Sequence, residues 1–157
     1  APAGAGAVNV IDHMGSLGMF ATAPPAPALR APLPDYFDTS ADLDARGRAY
    51  LDANCAHCHR DGGAADQSGL WLGAHETDLT RRGICKTPTA AGRGTGGRLY
   101  VIWPGDPDAS IATFRMASTE PGIKMPELPT VLSHAAGVEL ITEWIAAMPP
   151  VVCAATP

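Results

Sequence analysis

Cys55-Ala56-His57-Cys58-His59 sets two thiols three positions apart, with a histidine directly after the second. At that spacing each sulfur can add to one vinyl group of a single porphyrin, and the following imidazole can ligate the iron from one face. The C-x-x-C-H run is read as the attachment site of one haem c, held by thioethers to Cys55 and Cys58, with His59 as proximal ligand. A group held this way carries the chemistry, while the polypeptide sets its potential, access and partners. Two other uses of a C-x-x-C pair fit less well. Zinc asks for a second pair of ligands at similar spacing, and Cys85 and Cys153 stand alone and far apart. A thioredoxin-like redox pair asks for a βαβ setting, and the flanks of Cys55 do not read as strand followed by helix.

Haem iron has a second axial position, and Met125 is expected to fill it. It lies far enough beyond His59 to cross to the opposite haem face. It stands in the loop Pro121-Gly122-Ile123-Lys124-Met125-Pro126, where no helical stripe claims its side chain, and Pro126 stiffens the backbone behind it. Met116 and Met148 fall on helices, where methionine usually fills core gaps, and Met14 and Met19 lie near the N-terminus. Among the histidines, His57 is inside the attachment loop and cannot reach the far face. His134 belongs to the start of the last helix, and His75 is the remaining alternative. A Met/His pair raises the reduction potential relative to bis-His and leaves no axial position open for O₂ or peroxide.

These residues must be held by a small set of helices. Val10, Ile11, Met14 and Leu17 recur at helical spacing and predict a short helix over about 8–18. Ala23-Pro24-Pro25-Ala26-Pro27 reads as an extended linker. Tyr36 to Asn54 reads as a helix leading into the cysteine pair. Thr39 or Ser40 is its expected N-cap, and Asp42 and Asp44 stand in its first turn, where the dipole favours them. Leu43, Gly47, Tyr50 and Leu51 share one face, and the bare Gly47 invites close approach of another helix. Leu70, Trp71 and Leu72 are candidates for the haem wall or for ordinary core. Tyr100-Val101-Ile102-Trp103 is a short strand or a buried loop, ending in the turn Pro104-Gly105-Asp106-Pro107. A helix from about Asp108 to Ser118 follows, and a final one runs from near Ser133 to Met148. Val138, Ile141, Trp144, Ile145 and Met148 form the apolar stripe of that last helix, and Trp144 is the expected partner of the Gly47/Tyr50 face.

The chain has 157 residues, with Gly (17) and Pro (15) making about a fifth of it and aromatics 6%. That is a loop-rich composition with a thin apolar core, which a buried porphyrin would supplement. The expected organisation is an Ala/Pro/Gly-rich extension over 1–34 and one domain over 35–157. No run of about 18 or more apolar residues is present, so no membrane span is expected. No secretory signal region stands out, and the Ala1-Pro2-Ala3 start suits a processed or excised product. Thioether attachment is completed outside the cytosol, where disulfides persist. The two cysteines left over, Cys85 and Cys153, are therefore expected to pair, and the protein is expected to be periplasmic or otherwise extracytoplasmic. The net charge is −5, yet Arg81, Arg82, Lys86, Arg93 and Arg98 lie in a stretch without Asp or Glu. That stretch is short, Gly-rich and lacks interleaved aromatics, which argues against nucleic acid. Its cations suit haem propionates, an acidic redox partner or a merely solvated loop.

A Gly/Tyr-bearing helix, then C-x-x-C-H, then a Met-Pro loop, then a helix carrying a Trp resembles the class I mono-haem cytochrome c domain, over about Asp42 to Met148. The resemblance implies a mostly α fold around one covalently bound haem. It implies Cys55 and Cys58 as thioether cysteines, His59 and Met125 as axial ligands, and Gly47, Tyr50 and Trp144 at the crossing of the first and last helices. Asn54–Arg60, Gly83-Ile84-Cys85-Lys86, Ala91-Gly92-Arg93-Gly94, Pro104–Pro107 and Met125-Pro126-Glu127-Leu128 are similar, more narrowly, to a C-terminal haem-c domain of secreted bacterial proteins. The insert between haem motif and Met125 is longer than in small soluble cytochromes. The expected function is single-electron transfer between redox proteins, such as a dehydrogenase or another cytochrome. No Ser/His/Asp set or paired acid/base carboxylates point to an enzyme. The rivals are a haem-c subunit of a larger dehydrogenase complex, docked through residues 1–34, and a haem enzyme or gas sensor with an open distal site.

Overall fold

Asn9 and Asp42 each start a helix in the same way, with a side-chain oxygen accepting a first-turn backbone N–H. In the computed structural model, which describes residues 8–128 and 131–154, Asn9 Oδ1 accepts from Ile11 N at 2.9 Å and opens α1, Val10–Ser16. Asp42 Oδ2 accepts from Ala45 N at 2.9 Å and opens α2, Leu43–Cys55. The expected caps of α2, Thr39 and Ser40, lie outside it. The Ser40 hydroxyl and amide both donate to Asp38 Oδ1, at 2.6 and 2.9 Å. With Ser40 spent on that turn, capping passes to Asp42.

Two further helices complete the framework. The first, α3, spans Ile111–Ala117 and the second, α4, spans Ala135–Ala147. The start of α3 falls later than Asp108 because residues 106–110 close a turn of their own. Ala109 N donates to Asp106 Oδ1 at 3.0 Å, and the fully buried Ser110 hydroxyl donates to Asp106 O at 2.8 Å. Between the helices the chain is turns and short 3₁₀ segments at Pro27–Leu29, Asp66–Ser68 and Gly92–Thr95. The 100–103 run forms only isolated parallel bridges, Ile84 to Ile102 and Tyr100 to Ser110. The fold is therefore mostly α, with no sheet among the described residues.

The contacts divide the chain into a unit ending at Pro32 and a unit beginning at Leu33. In the first, α1 buries none of its residues. Its ties run through Arg30, which donates to Asp12 Oδ1 at 2.7 Å and to Pro25 O at 2.8 Å. In the second, α2, α3 and α4 enclose the core: Tyr50, Leu51, Ile102, Met116, Leu140, Ile141, Trp144 and Ile145.

The α2–α4 crossing rests on two glycines. A Cβ built on Gly47 would lie 2.8 Å from Trp144 Cγ, and one built on Gly137 would overlap the Tyr50 hydroxyl outright. Each helix thus leaves a gap that receives the other's aromatic ring. Trp144 Nε1 then donates to Asp44 Oδ1 at 2.8 Å, back on α2. Cys85 and Cys153 are joined as a disulfide with Cα atoms 5.2 Å apart, and Tyr100 donates its hydroxyl to Ala154 O at 2.9 Å. The C-terminal tail is so fixed to the 83–102 region. Among the described residues, no helix is long and apolar enough to cross a membrane.

Candidate functional site

The last turn of α2 does not stop at its final residue, Cys55. Ala56 N donates to Leu51 O at 3.1 Å, and Cys58 N and His59 N both donate to Cys55 O, at 3.2 and 3.0 Å. One tight turn therefore carries both thiols and the imidazole. Cys55 and Cys58 are free thiols. Burial, and then the neighbouring Cys58, push the Cys55 thiol up to about 12, so it is held neutral. The chain leaves the motif by folding back on it. Ala65 N donates to Cys58 O at 3.0 Å, and a Cβ on Gly63 would run into that same carbonyl. Only glycine lets the return strand approach so closely.

The ring of His59 is oriented by Ser68, whose Oγ is 3.3 Å from Nδ1. A serine hydroxyl has one proton and two lone pairs. Ser68 gives its proton to Ala65 O at 2.6 Å and accepts from Leu70 N at 3.2 Å. Toward His59 it can only accept. On this bond the imidazole proton sits on Nδ1 and Nε2 carries the lone pair, the arrangement a metal-ligating histidine needs. Burial lowers the pKa of His59, the charges of Arg115 and His57 act in the same direction, and a hydrogen bond to the Leu70 backbone opposes them.

The segment after the motif lies beside this histidine. Leu72 N donates to His59 O at 2.9 Å, and Trp71 N donates to Arg81 O at 2.8 Å. Trp71 Nε1 is buried and has no hydrogen-bond partner among the described residues, and the Arg81 guanidinium lies 3.9 Å from the centre of its ring. Leu72 packs against the core cluster, and Leu70 abuts Gly83, where a Cβ would meet its Cδ1 at 3.1 Å.

Met125 is half-buried in its loop. Its amide donates to Arg115 O at 2.9 Å, and Arg115 Nε donates to Ile123 O at 2.7 Å, so α3 grips the loop by main chain and side chain together. Of the other methionines, Met116 is buried in the core and Met148 packs against it. Met14 and Met19 belong to the first unit. His57 and His75 are exposed. His134 is the N-cap residue of α4, with Nδ1 3.0 Å from the Tyr50 hydroxyl.

The arginines of the 81–98 stretch have internal partners. Arg82 pairs with Asp44 at 3.4 Å and Arg93 with Glu120 at 2.5 Å. Arg98 donates to Asp108 O at 2.6 Å and covers the Phe114 ring at 4.3 Å. No family model matches this chain, and no curated protein or solved structure matches it either.

The residues gathered here fit a covalently bound haem on several counts. Two free thiols and an imidazole whose Nδ1 is engaged by Ser68 leave one turn, and the segment bonded to His59 O carries a buried indole N–H without a partner among the described residues, which an acceptor such as a propionate oxygen would suit. Zinc would take about four ligands at once. Among the described residues, no group of three or more His, Cys, Asp and Glu gathers as such a site requires. Four contributors escaped the sequence reading: Ser68, Asp44 as the acceptor for Trp144, Gly137 and Arg115. For Gly137 alone there was a signal, a glycine within an otherwise good helical stripe.

Proposed function

We propose that this protein is a mono-haem c-type cytochrome that passes single electrons between redox proteins outside the cytoplasm, with a fold of the class I cytochrome c kind. The observation that carries the reading is the His59–Ser68 contact beside two free thiols. It leaves the nitrogen that iron requires unprotonated within the turn that offers both sulfurs. In this reading Cys55 and Cys58 would hold the porphyrin, and His59 and Met125 would ligate its iron. Trp71 offers its indole N–H to a propionate. Haem supplies a one-electron couple, and thioether sulfur opposite imidazole raises its potential. The chain's own contribution is to hold the imidazole tautomer, keep the methionine loop on α3 and exclude water with Leu70, Leu72 and the core. The disulfide supports an extracytoplasmic setting, where such bonds persist.

One observation favours a subunit of a larger redox complex. The first unit exposes Val10, Leu17, Met19 and Leu29, each more than half accessible, as a docking element would before it meets its partner.

The deciding experiment is an absorbance spectrum of the purified protein in both redox states, with a pyridine haemochrome to count thioether bonds. The expected result is one haem with two thioethers and, in the ferric state, the weak sulfur-to-iron band of Met/His ligation. Met125→Ala should abolish that band. A colourless protein with the mass of the bare polypeptide would refute the reading.

A further inference from the structure

Arg115 is tied to the Met125 segment at two points. Its carbonyl accepts from the Met125 amide at 2.9 Å, and its Nε donates to Ile123 O at 2.7 Å. The guanidinium then lies flat against Gly94, where a Cβ would stand 3.3 Å from Cζ. A Cβ at position 94 would press on the group, so the glycine of the 3₁₀ turn at Gly92–Thr95 lets the guanidinium lie close. The arginine is half-buried on a helix whose other face is core. Its charge acts on the His59 imidazole, and the exposed Glu127 carboxylate acts on it in turn.

We infer that Arg115 is a positioning residue that fixes the methionine loop on α3 and keeps a permanent positive charge in the haem pocket, raising the reduction potential. The inference rests on the haem reading given above. An arginine stays protonated when partly buried, and a charge there is poorly screened. The ferric centre carries one more positive charge than the ferrous one, so a fixed cation destabilises the oxidised form more. The exposed Glu127 carboxylate acts on that cation and partly offsets it.

The test is redox titration of the purified holoprotein with Arg115→Gln and Arg115→Lys. Gln can still donate to Ile123 O but carries no charge, and Lys keeps the charge but not the planar fork. The expected result for Arg115→Gln is about a tenfold shift of the redox equilibrium toward the ferric form, about 59 mV for a one-electron couple. Arg115→Lys should stay near wild type in potential. Arg115→Ala, which removes charge and tether together, should in addition weaken the sulfur-to-iron band. An unmoved potential in Arg115→Gln, or an equal fall in Arg115→Lys, overturns the inference. Should Arg115→Gln fail to fold, Glu127→Gln serves instead. Freeing the cation of its carboxylate should raise the potential, and no rise overturns the inference. A wild type without haem removes the underlying reading, whereas a haem-bearing wild type with unmoved variants removes only the role of Arg115.

Discussion

The phenol of Tyr50 occupies the space that a side chain on Gly137 would need, just as the indole of Trp144 occupies the space above Gly47. This double exchange holds α2 against α4, and α2 delivers Cys55 at its end. Alanine at either glycine gains up to about 1 kcal/mol of helix propensity but overpacks the crossing, which typically costs about 1–3 kcal/mol. Gly137→Ala should be the worse of the two, because the hydroxyl it displaces is also bonded to His134. Urea unfolding of the two variants ranks them, and a stabilised Gly137→Ala would contradict the packing described.

Tyr50 also makes stability depend on alkaline pH. Burial, with smaller contributions from Cys55 and Tyr36, raises its pKa from 10.0 to about 12. The unfolded phenol ionises first, so the contribution of Tyr50 to stability should be constant below about pH 10 and fall as pH rises from there toward about 12. Tyr50→Phe should flatten that fall. At neutral pH it should cost about 1 kcal/mol for the lost bond to His134. Denaturation midpoints over a series of alkaline buffers provide the comparison, and identical slopes in both proteins would count against this assignment.

Ser68→Ala removes the acceptor for His59 Nδ1–H. A ligating imidazole that donates a hydrogen bond is more basic and favours ferric iron, so the variant should show a raised potential with its haem still attached. Loss of the two other Ser68 bonds should cost stability by about 1 kcal/mol each at most. Redox titration beside a melting curve separates the two effects, and a lowered potential would be the wrong sign.

Replacing Cys85 and Cys153 by serine opens a loop with a sequence separation of 68 residues. For a loop of that size the chain-entropy model gives roughly 4 kcal/mol of lost stability. The visible spectrum should be unchanged, because neither cysteine belongs to the attachment turn. Chemical unfolding of the double-serine variant beside wild type measures the loss, and ferric or ferrous spectra that differ between the two proteins would contradict this expectation.

What could be read from the chain followed from periodicity and from residue chemistry. The apolar stripe of α4 and the bare Gly47 were enough to anticipate the Trp144 contact. The cap of α2 was misplaced because Asp38 engages Ser40, a competition between adjacent residues that propensity does not resolve. The long path from residue 60 to 110 has no repeating pattern. It is held by single backbone bonds, such as Trp71 N to Arg81 O and Cys85 N to Ile102 O, at 2.8 and 3.0 Å. Such pairings join positions with nothing in common along the sequence. Ser68 and Arg115 gain their roles only from that path, so neither stood out beforehand.

Every buried apolar side chain among the described residues lies beyond Leu33. Cooperative melting should therefore belong to the second unit, and calorimetric enthalpy should scale with that unit's length instead of the full polypeptide's. Proteolytic trimming at the Pro32–Leu33 junction would shorten the molecule while leaving every buried apolar side chain among the described residues in place.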